Sequence, residues 1–306
     1  MTYFYVYIIY FNMSKKVIFP ILIYLLLIVI FFPAQSVAAA LETLQLWFLK
    51  VLPALFPSIM LVSIIIQNIN RSPNIFFCIA MGLLCGFPVG CILVCDLVQQ
   101  GKLSKEKGQL YAAAISQFSP AFLSSYLTSE ILQQSRFLIL SLVYIPQVLC
   151  YCFIYFVFIK RKNAHYYIGS TQKCCSYDDF SSQQLEESFL HSSEIMVKIG
   201  CYMILCTLFK VGLFVIEPLK NFVPYILPYV ETTSGLKALK NFVASHKILY
   251  PIAISACCFG GICGFFQVWN LLKNSNLSCK MYLFYKLAVS VVTGVAVYLL
   301  CINLNL

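Results

Sequence analysis

The sequence predicts an all-α fold, a polytopic bundle of transmembrane helices. Three observations carry that reading. Hydrophobic residues make up 61% of the 306 residues and the mean hydropathy is +0.85. Charged residues make up only 10%, against roughly 25% in an ordinary soluble domain. The apolar residues also come in long unbroken runs rather than in stripes with a polar back face, and a run of about 18 is long enough to cross a bilayer core. The short alternating segments of a β-barrel are absent.

The net charge of +10 does not point to nucleic acid. Its lysines and arginines gather at the ends of apolar runs, as at Lys15-Lys16 and Lys160-Arg161-Lys162, which is how cytoplasmic flanks of membrane helices are charged. The partner implied is the lipid bilayer, with the N-terminus on the cytoplasmic side. Fifteen cysteines contain no C-x-x-C pair. Cysteines such as Cys78, Cys85, Cys91, Cys152, Cys201, Cys257 and Cys258 sit within apolar runs and act there as small packing residues. The doublet Cys174-Cys175 lies in a polar stretch. No metal and no cofactor is implied by these spacings.

Along the chain, residues 1–16 form a cytoplasmic N-terminus, in which Met13-Ser14-Lys15-Lys16 resembles a membrane-protein start. Residues 17–159 form a first membrane half, 160–193 a polar cytoplasmic linker and 194–306 a second membrane half. The first apolar span, residues 17–34, is expected to be a retained anchor rather than a cleaved signal, because the chain downstream is itself multi-span. Pro53 and Pro57 are expected to break or kink the next helix.

The most informative segment runs from Ile75 to Gln100. Its centre is Cys85-Gly86-Phe87-Pro88-Val89-Gly90-Cys91, followed by Asp96. A Gly-x-Pro-x-Gly core leaves backbone groups unpaired at membrane depth, and such breaks survive only where protein, water or a ligand satisfies them. A second interrupted segment follows, Gly108 to Leu127, carrying Ser119-Pro120. The two are expected to form a hairpin that dips into the membrane. In the second half, residues 218–245 hold Glu231-Thr232-Thr233-Ser234-Gly235. Residues 248–272 are interrupted at Gly260-Gly261 and then carry Gln267.

Each half therefore has a Gly-broken apolar segment beside a shorter interrupted one, an arrangement of two pseudo-repeated halves with broken or re-entrant helices. Paired interruptions point to a transporter site, in which half-helix N-termini face anionic or polar substrate atoms and freed carbonyls take cations. The bland reading is that glycines let membrane helices pack closely. The candidate substrate or ion site comprises Gly86, Pro88, Gly90, Asp96, Ser119, Pro120, Glu231, Thr232, Thr233, Gly235, Gly260, Gly261 and Gln267. Intramembrane charges rank first in it: Glu231, then Asp96, with Lys210 third. Glu231 has two readings, a substrate- or proton-binding carboxylate or the cap of the helix that follows.

These motifs, in their order, resemble a family. Phe32-Pro33, Ala38-Ala39 to Leu46-Trp47 and Leu52-Pro53-Ala54-Leu55-Phe56-Pro57 look like the start of the YlbJ-type sporulation integral membrane proteins. Gly86-Phe87-Pro88-Val89-Gly90 with Asp96-Leu97 and Ser119-Pro120-Ala121-Phe122 resembles that family's first-half signature. Glu231-Thr232-Thr233-Ser234-Gly235 and Phe259-Gly260-Gly261 with Gln267 resemble the second-half signature. The family is similar to the nucleoside-recognition, or Gate, membrane domains. The resemblance implies an inner-membrane protein of an endospore-forming bacterium with a transport or gating role at the cortex or envelope stage. Cys91 and Gln117 depart from the alanine and asparagine expected at those positions.

Three function classes follow. The first is a permease or gated channel for a small polar solute. The second is a non-transporting scaffold for spore-envelope machinery, with envelope proteins or a second copy of the chain as partners. The third, an intramembrane enzyme, is disfavoured. The three histidines, His165, His191 and His246, are scattered and form no His-Glu-x-x-His pattern, and Asp96 has no second carboxylate beside it in sequence.

Overall fold

The computed structural model describes residues 15–68, 74–159, 182–215 and 220–303. The Met13 start, Lys160-Arg161-Lys162, His165 and Cys174-Cys175 lie outside them. Within the described residues the chain is all helical. Helix α1 spans Lys15–Phe31, α2 Pro33–Leu46 and α3 Leu52–Asn68. Then come α4 (Ile75–Cys85), α5 (Val89–Gln99), α6 (Lys105–Ile115) and α7, which starts at Pro120–Phe122 and continues as the π-helix Leu123–Leu132. Helix α8 spans Arg136–Ile154, with a π-helical end Tyr155–Ile159, and α9 spans Ser182–Val215. The remainder is α10 (Val223–Val230), α11 (Thr232–Phe242), α12 (His246–Phe259), α13 (Gly261–Asn274) and α14 (Cys279–Asn303).

Among the described residues five stretches are long and apolar enough to cross a membrane: Pro33–Ile66, Arg136–Val157, Gln184–Phe214, His246–Asn274 and Cys279–Asn303. Their outward faces are greasy, as at Leu149, Phe153, Val291 and Leu299, while Thr43, Gln117, Gln147, Glu231, Lys286 and Thr293 are buried. A bundle with apolar outside and polar inside suits lipid as its surroundings. Cys152 and Cys201 face outward on this surface, whereas most of the other described cysteines are buried or half-buried and all of them are free.

Pro53 and Pro57 do not break their helix. The chain passes from α2 to α3 through the π-turn Trp47–Val51, and Pro57 lies inside α3. A proline lacks an N–H and crowds the carbonyl four residues back. For Pro53 that carbonyl belongs to Leu49, inside the wider turn, where a π-bulge accommodates it. Helix α9 also begins at Ser182, so residues 182–193, assigned to the linker from sequence, are helical.

Helix α9 ties down the N-terminal helices. Its Thr207 hydroxyl lies 2.8 Å from that of Thr43, and the Trp47 indole donates to the Met196 carbonyl at 3.2 Å. The indole fits because Gly200 leaves room for it: a Cβ there would sit 3.1 Å from the ring. Helix α14 packs chiefly on α12, and also on α8 and α6. These contacts hold the interrupted segments at the centre of the bundle.

Candidate functional site

Four interruptions meet at that centre: residues 86–88 between α4 and α5, 116–119 between α6 and α7, Glu231 between α10 and α11, and Gly260 between α12 and α13. The first begins because Gly86 takes a φ of +73°, a conformation glycine adopts without a Cβ penalty. There the Phe87 amide donates to the Gln117 carbonyl at 2.9 Å. A Cβ on Gly86 would stand 2.6 Å from both the Gln117 carbonyl oxygen and the Ser119 nitrogen. Backbone thus meets backbone, and each break satisfies part of the other. Phe87-Pro88 is a cis peptide.

The second pair is joined in a similar way. Gly260 has a φ of +85° and ends α12. A Cβ on the next residue, Gly261, would meet the Thr232 hydroxyl at 2.9 Å and the Val230 carbonyl at 3.3 Å. Phe87 links the two pairs, because its ring edge would lie 2.7 Å from a Cβ on Gly260 and 3.5 Å from one on Gly264. The Tyr126 hydroxyl on α7 donates to the Thr233 carbonyl at 2.6 Å.

Local capping explains two of the helix starts. Ser119 precedes Pro120 and its hydroxyl accepts the Phe122 amide at 3.2 Å. Glu231 caps α11 with both carboxylate oxygens, accepting Thr233 N–H at 2.9 Å and Ser234 N–H at 2.6 Å. Of its two sequence readings, the capping one is therefore realised. The other is not thereby lost, since each oxygen keeps a lone pair, and among the described residues no Lys or Arg pairs with this buried carboxylate.

Between the breaks lies a small cavity of about 40 Å³, room for a few waters. Its polar wall comprises Ser119, Glu231, Thr232, Thr233, Gly260 and Gln267; its apolar wall includes Leu55, Phe87, Phe118, Phe122, Ile199 and Met203. Two features of that wall are unsatisfied. The Thr232 hydroxyl is buried without a hydrogen-bond partner among the described residues. The N-terminus of α13 starts at Gly260 with no side-chain cap, leaving its first amides directed outward along the helix axis.

Of the residues selected from sequence, Ser119, Glu231, Thr232, Thr233, Gly260 and Gln267 share this cavity. Gly86, Pro88, Pro120 and Gly261 shape the breaks around it. Gly90 and Gly235 serve close packing: a Cβ on Gly90 would stand 2.7 Å from the Ile115 carbonyl, and one on Gly235 would collide with the Leu227–Pro228 backbone. Asp96 stands apart, exposed on α5. Lys210 is in an ion pair with Glu42 at 3.4 Å, and Lys237 joins the same carboxylate at 2.9 Å. Those three side chains border a separate open groove.

Sequence reading missed Lys286. It is fully buried on α14, 1% exposed. Its Nζ donates to the Ser116 carbonyl at 2.6 Å and to Gln117 Oε1 at 3.1 Å, and lies 5.0 Å from the centroid of the Phe87 ring. One signal was present in the sequence. Lys286, Ser290 and Thr293 recur at helical spacing, which places a polar stripe on one face of an apolar span.

Among the described residues no three His, Cys, Asp or Glu side chains cluster. No family model matches the chain, and no curated protein or solved structure does either.

Proposed function

We propose that this chain is a multi-span permease for a small polar solute, with its binding site in the cavity between the four helix breaks. The carrying observation is the convergence of Ser119, Glu231, Thr232 and Gln267 there, with the Thr232 hydroxyl unpartnered and the α13 N-terminus uncapped. Uncapped amides and hydroxyl and amide donors suit a solute rich in acceptor oxygens, such as a carboxylate. Glu231 suits a hydroxyl or amine on the same solute. A cavity this small, against the roughly 300 Å³ or more of ordinary ligand pockets, corresponds to a closed state of an alternating-access cycle.

On this reading the two pairs of broken helices are re-entrant hairpins in pseudo-repeated halves. The chain then belongs with the YlbJ-type, Gate-domain proteins that its motifs resemble. It sits in the inner membrane of an endospore former with a cytoplasmic N-terminus and acts at the cortex or envelope stage, as a transporter rather than an enzyme.

A thermal-shift series on detergent-purified protein tests the reading, using nucleosides, amino acids, small carboxylates and cortex precursors. Stabilisation by one class, and liposome flux of that solute lost in Thr232→Val and Glu231→Gln, is the expected outcome. No stabilisation by any of them, with wild-type-like sporulation of a Glu231→Gln strain, would favour the scaffold instead.

A further inference from the structure

Lys286 buries its amine where no ion-pair partner awaits it among the described residues. Its helix, α14, carries it to the 116–119 break, where the chain has left helical geometry and freed a carbonyl. Among the described residues no carboxylate pairs with it. Its acceptors are one main-chain carbonyl, Ser116, and one side-chain amide oxygen, Gln117 Oε1. The face of Phe87 is the third neighbour. The titratable groups around it are the thiols Cys91 on α5 and Cys258 on α12. Neutral oxygens at an unwound segment, backed by an aromatic face, are what a bound monovalent cation receives in broken-helix membrane proteins.

We propose that the Lys286 ammonium is the resident cation of this break: a tethered side chain fills the position that would otherwise take a soluble cation from water. A lysine suits the role because its charge is a compact point on a flexible stem. The consequence is that the 116–119 break needs no sodium. The ammonium holds α14 to the 116–119 break and rests on Phe87, so any motion that opens the neighbouring cavity on the Phe87 side must also move the cation. The inference goes beyond the permease reading and does not depend on it, since no solute enters the test.

The test is thermal unfolding of the detergent-purified full chain in sodium, choline or n-propylammonium chloride at equal ionic strength. Wild type should melt at one temperature in all three. Lys286→Ala should melt lower by roughly 5 °C or more. Propylammonium, which matches the deleted atoms, should restore at least half of that loss, sodium less and choline none. Lys286→Met, which fills the space without charge, should melt low in every salt. Stabilisation of wild type by sodium over choline overturns the proposal. So does a Lys286→Ala variant indifferent to propylammonium, or a Lys286→Met variant as stable as wild type. If Lys286→Ala does not survive purification, the wild-type and Lys286→Met arms decide. A positive result beside a failed solute screen would leave the resident cation standing and remove the permease.

Discussion

The Phe87 ring lies 5.0 Å from Lys286 Nζ and is also a wall of the cavity that holds Glu231. One aromatic side chain therefore borders both the buried Lys286 amine and the cavity that Glu231 lines, and packs on Gly260 and Gly264 as well. Phe87→Leu should cost about 1–2 kcal/mol through lost ring contacts and lost cation–π attraction. In a double-mutant cycle with Lys286→Met the two should couple by at least ~0.5 kcal/mol, because they touch. Additive unfolding free energies would show that the ring and the ammonium do not interact.

Glu231 offers a graded test, because its two oxygens serve two amides. A glutamine replaces one of those oxygens by an NH2 that cannot accept, so in Glu231→Gln the Thr233 and Ser234 amides must share one neutral oxygen in a buried site. The expected loss is roughly 1–3 kcal/mol. Glu231→Ala strands both amides and should melt lower still. The order wild type, Gln, Ala in unfolding temperature supports the cap, and equal melting of wild type and Gln would contradict it.

The glycines at the breaks should not behave alike. Gly86→Ala faces a positive φ and a Cβ 2.6 Å from the backbone of the opposite break. Neither neighbour can yield, so several kcal/mol of destabilisation, about 3 or more, is expected. Gly264→Ala would place its Cβ 3.5 Å from the Phe87 ring, an ordinary contact inside a helix, and should be within about 1 kcal/mol of wild type. Yield of folded protein after detergent extraction and melting temperature distinguish the two. Equal tolerance at both positions would mean that the Gly86 break is not tightly packed.

The interruptions were legible in the sequence because glycine and proline stand out in an apolar run, where an unwound backbone has no water to turn to. Gly86-Phe87-Pro88, Ser119-Pro120 and Gly260-Gly261 are located that way, and the interrupted segment 218–245 holds the fourth break, at Glu231. At Pro53 and Pro57 the same signal marks a disturbed turn and no break. Proline signals a disturbed turn, but whether the disturbance becomes a break or a π-turn depends on packing, here of Trp47 against α9. Lys286 was not legible because its meaning lies in Ser116 and Gln117, about 170 positions away in the chain. A lone lysine near Lys280 resembles a helix-end residue until the face it shares with Ser290 and Thr293 is drawn.

That same face yields a last prediction. Helices α12 and α14 are bonded where Ser290 donates to the Ser255 carbonyl at 2.8 Å, and Gly294 lies one turn further on. A Cβ on Gly294 would stand 2.9 Å from the Ser255 Cβ, with the Pro251 carbonyl at 3.8 Å. The obstruction is thus a single side-chain carbon rather than backbone, and it is removable. Gly294→Ala alone should push the two helices apart and cost about 1–3 kcal/mol by overpacking. Ser255→Gly alone should cost roughly 1 kcal/mol through helix propensity, with a further loss from the bond to Tyr229. Combined, the two changes exchange the small residue from one helix to the other and restore the close approach. The double variant should therefore melt at or above the temperature of Gly294→Ala, a favourable coupling in place of additivity. A double variant that melts at the sum of the two losses would place the α12–α14 contact somewhere other than Gly294 and Ser255.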